Sequence, residues 1–244
     1  MRVNTTDLQN SFGKYLSLVE KEDIIITKNG RSVAKLVRYT EPDFYLVHEE
    51  AKGYRTTKKI SYEEYMELVE SSDQRYELID GEVYLLASPS FKHQMVVNEI
   101  AGHFYNYFRG KTCRSLTAPL DVRLFGYAAK FEEDPNVVQP DLVVICDLDK
   151  VNESNQYEGL PTLVVEVLSP ATKGKDMVTK LNLYMKSGVR EYWVVNPENK
   201  SIMQYSFSPD RDIESFNSLG EEATIKSSVF AGLELQLGDV FADI

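Results

Sequence analysis

The chain has 244 residues, 43% of them hydrophobic and fifteen of them Tyr, with a net charge of -11. That is enough for one large domain, or an ordinary domain plus a small module, and the charge argues against a generic nucleic-acid binder. No apolar run approaches the roughly 18 residues of a membrane helix, and the start MRVNTTDLQ lacks the apolar region of a signal peptide. Only Cys113 and Cys146 are present, outside any CxxC pair, and Cys146 lies in an apolar run. Neither a disulfide framework nor a zinc site is expected, and a soluble protein of the reducing cytoplasm is.

The charge is unevenly spread. Residues 1–40 hold seven basic groups against four acidic ones, a net +3, and the remaining 204 carry 20 basic and 34 acidic groups, a net -14. Two modules with different tasks are expected, because the second would repel nucleic acid without cations or a local basic groove.

In the first module Asn4, Thr5 or Thr6 can cap a helix whose apolar positions are Leu8, Phe12, Tyr15, Leu16 and Val19. A hairpin follows, with strands 24–27 and 32–37 around Lys28-Asn29-Gly30-Arg31, since Asn-Gly favours a type I′ turn. About 40 residues bury too little surface to be secure alone, so pairing with a second copy or docking on a neighbouring domain is expected. The stretch VNTTDLQNSFGKYLSLVEKEDIIITKNGRSVAKLV resembles the Phd/YefM antitoxin family over most of its ordered N-terminal module. The resemblance implies a homodimer that binds DNA, with Arg2, Lys14, Lys28 and Arg31 as candidate phosphate contacts. Gln9 stands where many members carry a basic residue.

Residues 41–60 form the linker, in which 44–47 could be a short strand and 49–59 is charged. No long tail remains to wrap a separate toxin, so a covalent successor domain, 61–244, is favoured over a free toxin partner.

That domain opens with a capping box, Ser61-Tyr62-Glu63-Glu64, and a helix through Val69. Strands 76–79 and 82–86 flank an Asp80-Gly81 turn. Ser88-Pro89-Ser90 precedes a long helix with His93, Val96, Val97, Ile100, Ala101, Phe104 and Phe108 on one face. His93 is expected there as a hydrogen-bonded core residue, and with no second His at ligand spacing no zinc is expected. A strand is expected over 118–124. The apolar runs 137–146 and 163–168 have the β-branched character of strands buried on both faces. Each holds one carboxylate, Asp141 and Glu166, which is costly there unless compensated. A helix over 176–186 closed by Gly188 and a strand over 191–195 follow, then shorter strands over 202–207, 223–226 and 233–237. The order fits a mixed sheet with helices packed on it, an α+β or mixed α/β fold.

RYELIDGEV, APLDVRL, VVQPDLVVICD, LVVEVLSP and KLNLYMKSGVREYWVVNP together are similar to the Uma-two family of restriction-endonuclease-like proteins in the PD-(D/E)XK nuclease superfamily, over roughly 60–244. The resemblance implies a magnesium- or manganese-dependent endonuclease. Glu77, Asp141 and Glu166 would be its acidic site residues, and Asp141, Glu166 and the Val167 carbonyl its metal donors. Leu168 departs from the pattern, because the superfamily's lysine normally stands there, on the face of Glu166.

A displaced lysine can come from the following helix. Lys180, between Met177 and Tyr184 on the buried side, is the first choice for the catalytic lysine, with Lys173 and Lys175 behind it. A simple pairing of Lys180 with Asp176 is the plainer alternative. Tyr184 stands at the edge of the same site. The expected function is thus an endonuclease fused to an antitoxin-like module. The alternative is a non-catalytic DNA-binding autoregulator with an inert nuclease-like fold.

Overall fold

Two prolines divide what the sequence presents as continuous strand. In the computed structural model, which describes residues 1–10, 12–19, 22–28, 30–36, 59–128, 130–153, 156–169 and 174–244, the chain forms two compact units, Met1–Glu49 and Glu50–Ile244. The expected strand over 44–47 and the charged stretch after it fall almost wholly outside the described residues.

In the first unit, β1 (Arg2–Asn4) runs parallel to β2 (Ile24–Lys28), which pairs antiparallel with β3 (Arg31–Leu36). Gly30 has φ +76°, as the hairpin requires. Helices α1 (Thr5–Asn10) and α2 (Phe12–Val19) connect β1 to β2. Val3, Val19 and Ile24 form the small core, with Leu8, Tyr15, Leu18, Ile26 and Leu36 packed on it. Phe12, expected on the apolar face, is exposed.

In the second unit the Ser61 capping box forms as expected and starts α3 (Tyr62–Glu70). Strands β4 (Tyr76–Ile79) and β5 (Glu82–Leu85) join through Asp80 and Gly81, both with positive φ. Ser90 then caps α4 (Phe91–Phe108).

The segment expected as one strand over 118–124 instead begins just after β6 (Arg114–Thr117) with a cis Ala118–Pro119 bond and holds only the short β7 (Val122–Leu124). The apolar run 137–146 likewise splits into β8 (Asn136–Val138) and β9 (Leu142–Ile145), because Pro140 has no N–H to give a ladder. Each break sends the chain from one sheet to another. β7 and β8 belong to a four-stranded sheet of order β5-β4-β8-β7, whereas β6 and β9 belong to the larger sheet.

That sheet continues with β10 (Leu163–Val167), β11 (Glu191–Asn196), β12 (Ser201–Phe207) and β13 (Ile213–Gly220), in the order β13-β12-β11-β10-β9-β6. Only the β10–β11 pair is parallel. Their crossover carries a helix that starts with a wide i→i+5 turn over Lys175–Lys180 and continues as α5 (Leu181–Ser187), closed by Gly188 at φ 97°. The hairpin β14 (Thr224–Lys226) and β15 (Glu234–Gln236) and the short α6 (Leu237–Val240) end the chain. β13 is absent from the sequence expectation. It is exposed along nearly its whole length at the sheet edge, so it has no alternating pattern to betray it.

One face of the large sheet packs Leu142, Val144, Leu163, Val165, Trp193 and Val195 against α4. The other packs Val143, Ile145, Val164, Tyr192 and Val194 against Leu183 and Tyr184 of α5 and against the four-stranded sheet. Among the described residues no helix is long and apolar enough to cross a membrane.

Cys113 and Cys146 form a disulfide, against the expectation of none. The pairing of Arg114 with Ile145 places the two cysteines opposite each other just beyond the ladder, with Cα atoms 4.1 Å apart. That is shorter than the usual span of about 4.4–6.8 Å, and the 33-residue separation concealed the pairing from a reading based on spacing.

Candidate active site

The break at Pro140 leaves Asp141 at the start of β9, where the two sheets part. Val165 pairs with Leu142, so Glu166 comes next to Asp141 as the antiparallel register continues. Alternation puts both side chains on the face of Val143, Ile145, Val164 and Leu168. Val167 N–H donates to Asp141 Oδ2 at 2.8 Å, and His93 Nε2 lies 3.2 Å from the same oxygen. Glu77, on β4 of the other sheet, is fully buried, and its Oε1 accepts from Gln139 N–H at 2.9 Å.

Lys180 joins these acids. Its ammonium is 2.7 Å from Glu166 Oε1, 2.8 Å from Glu77 Oε1 and 3.7 Å from Asp176 Oδ1. The pairing with Asp176 therefore exists, as the weakest of three. Lys175 donates to Glu77 Oε2. Both lysines reach one carboxylate because the i→i+5 turn sets residues five apart above one another, where an α-helix would turn them away. Lys173 lies outside the described residues. Tyr184 Oη donates to Glu166 Oε1 at 2.7 Å, and Tyr192 Oη donates to the Asp176 carbonyl at 3.0 Å.

Three carboxylates, Glu77, Glu166 and Asp176, thus surround the Lys180 ammonium, Glu77 also holds Lys175, and Asp141 lies beside Glu166. Burial pushes the Glu77 carboxyl up, but Lys180 and Lys175 overcome it and hold it down at about 2. Glu166 is pushed up to about 8 by burial and by Asp176, Asp141 and Glu77, against the pull of Lys180. Lys180 stays firmly protonated, because Glu166, Glu77 and Asp176 outweigh its burial. Burial lowers the His93 pKa, but hydrogen bonding to Asp141, with the Asp141 charge and the Val167 backbone, leaves it above the ordinary value.

A contrast shows what is unusual here. Glu191 is just as buried, yet its partners are neutral: Trp193 Nε1 at 2.7 Å, Gln204 Nε2 at 2.6 Å and Ser227 Oγ at 2.6 Å. Such a carboxylate is a structural acceptor. The Glu77, Asp141, Glu166 and Asp176 carboxyls instead outnumber the two lysines in a largely desolvated place, and a divalent cation there would favour the ionised form of Glu166.

The donor chemistry fits such a cation. Carboxylate and carbonyl oxygens suit Mg²⁺ or Mn²⁺, and Mg²⁺ is commonly held by one or two carboxylates plus water and substrate phosphate. Among the described residues no three acidic, His or Cys side chains form a ready cage. Asp141 and Glu166, with the adjoining Val167 carbonyl, are the residues that would hold it.

The candidate phosphate contacts of the first unit are all exposed. Lys28 and Arg31 face each other across the β2–β3 hairpin, Arg2 pairs with Ile25 nearer the other end of β2, and Lys14 lies on α2.

Residues 62–238 match the Uma2 family, described as "Putative restriction endonuclease", and residues 1–76 match "Antitoxin Phd_YefM, type II toxin-antitoxin system". Two proteins of Synechocystis sp., both called uncharacterized, are similar. The protein slr1290 is 29% identical over 63% of this chain and 77% of its own length, and sll1609 is 26% identical over 71% and 95%. A crystal structure from Anabaena variabilis, titled as a putative nuclease belonging to DUF820, superposes with a TM-score of 0.59 at 20% identity, covering 75% of this chain and 98% of that one. At that identity the likeness shows the fold. The family match spans well over half of the chain, and the protein belongs to the Uma2 restriction-endonuclease-like family, with an antitoxin-like segment at its N-terminus.

Proposed function

We propose that the second unit is a Mg²⁺- or Mn²⁺-dependent endonuclease acting on DNA, and that the antitoxin-like unit dimerises the protein and binds DNA. The observation that supports the catalytic reading is Lys180, whose ammonium stands between Glu166 and Glu77 although it comes from the crossover helix. It supplies the cation missing at Leu168.

A divalent ion held by Asp141 and Glu166 would supply a Lewis acid for the scissile phosphate and a more acidic attacking water. Lys180 would orient that water and stabilise the negative charge that develops on the phosphate. Glu77 restrains Lys180 and Lys175 from the far side, which limits their freedom before substrate arrives. Tyr184 fixes Glu166 by occupying Oε1 together with Lys180, and Oε2 would be the oxygen to hold a cation.

The competing reading is a DNA-binding autoregulator whose second unit no longer cuts. The ion pairs that tie Lys180 to two carboxylates favour it, since an ammonium so neutralised has less to offer a phosphate. Nicking of supercoiled DNA with Mg²⁺, by wild type and Lys180→Ala, separates the two. Cleavage lost in the variant supports the nuclease, and no cleavage by wild type, with Mg²⁺ or with Mn²⁺ in its place, supports the regulator.

A further inference from the structure

His93 has a task that packing does not account for. Its backbone N–H donates to the capping Ser90 Oγ at 3.2 Å, and the next turn of α4 is anchored in the core by Val96, Val97 and Ile100, so the place of the ring is fixed. The residue is only 7% exposed, and Nε2 points to Asp141 Oδ2 at 3.2 Å. That oxygen also accepts from Val167 N–H at 2.8 Å. Two protein donors therefore hold Oδ2, and among the described residues Oδ1 is the oxygen left to be presented.

The other ring nitrogen, Nδ1, is buried without a hydrogen-bond partner among the described residues. An apolar side chain of similar bulk would fill the space without leaving a polar atom unmet. The contact to Asp141 is what an imidazole adds there.

We propose that His93 is the positioning residue of the candidate site, orienting the Asp141 carboxylate so that Oδ1 faces the divalent cation. The proposal rests on the reading that Asp141 binds that cation. His93 acts through Asp141 and is not itself a ligand, because its Nε2 is turned to the carboxylate. Outer partners of this kind commonly change metal affinity by about 10- to 100-fold when removed.

The test is Mn²⁺ titration by calorimetry on the full-length protein without substrate, with thermal melts alongside. Four variants are compared with wild type: His93→Leu, His93→Gln, His93→Asn and Asp141→Ala. Glutamine can place an amide N–H where Nε2 sits, whereas asparagine is too short to reach. His93→Leu and His93→Asn should bind Mn²⁺ about 10- to 100-fold more weakly, and His93→Gln should stay close to wild type. A purely structural His93 would lower the melting temperature and leave affinity unchanged in every variant that folds. If Asp141→Ala loses binding while His93→Asn and His93→Leu bind like wild type, the positioning role is overturned and the cation site stands. Should His93→Leu fail to fold, His93→Asn against His93→Gln decides in the same way. If wild type binds no Mn²⁺, or Asp141→Ala binds as wild type does, the cation reading falls and takes the positioning role with it.

Discussion

The Lys180 ammonium lies 2.7 Å from Glu166 Oε1 in a site where both side chains are almost wholly buried. A pair so desolvated is held by its partners, and removing one leaves the other uncompensated. Above about pH 8, where Glu166 is ionised, Lys180→Met should therefore destabilise the second unit by about 3–5 kcal/mol, measured by denaturant unfolding in the absence of metal. A much smaller loss would mean that Glu166 takes up a proton at little cost. Its elevated pKa makes that the route to watch.

Tyr184 shares the same Glu166 oxygen at 2.7 Å. Tyr184→Phe keeps the ring in its packing with Tyr192 but removes the donor. Above about pH 8, with Glu166 ionised, the expected cost is about 1.5–3 kcal/mol, as for hydrogen bonds to charged groups, read from the same unfolding curves. No change would show that Lys180 alone satisfies the carboxylate.

The disulfide gives an independent prediction. Cys113 and Cys146 are 33 residues apart, and opening such a loop should cost about 3–4 kcal/mol of stability on the chain-entropy scale. Adding reductant during unfolding should reproduce the loss seen in Cys113→Ser, and Cys113→Ser itself should no longer respond to reductant. A wild type equally stable with and without reductant would contradict this.

For the N-terminal unit, deletion of residues 1–40 should reduce a dimer to a smaller species in light scattering and abolish binding to the promoter of its own gene. Binding by the full chain should weaken steeply with salt if Arg2, Lys14, Lys28 and Arg31 meet phosphates. Unchanged mass would remove the dimer, and unchanged DNA affinity would remove the DNA contact.

Much of this architecture was legible in the sequence where local chemistry is strong. The Ser61 capping box, the Asp80-Gly81 turn and the Gly188 stop each depend on a few neighbouring residues, and all three form. What escaped depends on tertiary pairing. Pro119 and Pro140 were visible, but that each marks a change of sheet follows only from the register of β6 on β9 and of β7 on β8. In the site, Asp141, Glu166, Glu77 and Lys180 come together, and Lys175 enters because of an i→i+5 turn that no periodicity announces. Helical spacing places His93 on a core face, where it is buried, but its contact with Asp141 spans 48 residues of sequence. Glu191 shows the limit of the argument from buried acids: it also stands in an apolar strand, and only its neutral partners separate it from Glu166.

The central claim is that Asp141 and Glu166 bind a divalent ion and that Lys180 acts with it on a phosphodiester. Its most direct test combines Mn²⁺ calorimetry with cleavage of supercoiled DNA for wild type, Asp141→Ala, Glu166→Ala and Lys180→Ala, each purified in parallel. The account predicts that wild type binds and cuts, that the two acid variants lose both, and that Lys180→Ala still binds metal but cuts at least about 100-fold more slowly, the size expected for one proton-transfer or charge-stabilising group. Equal metal-dependent cleavage by all four proteins, or metal binding undiminished in Asp141→Ala and Glu166→Ala, would contradict it.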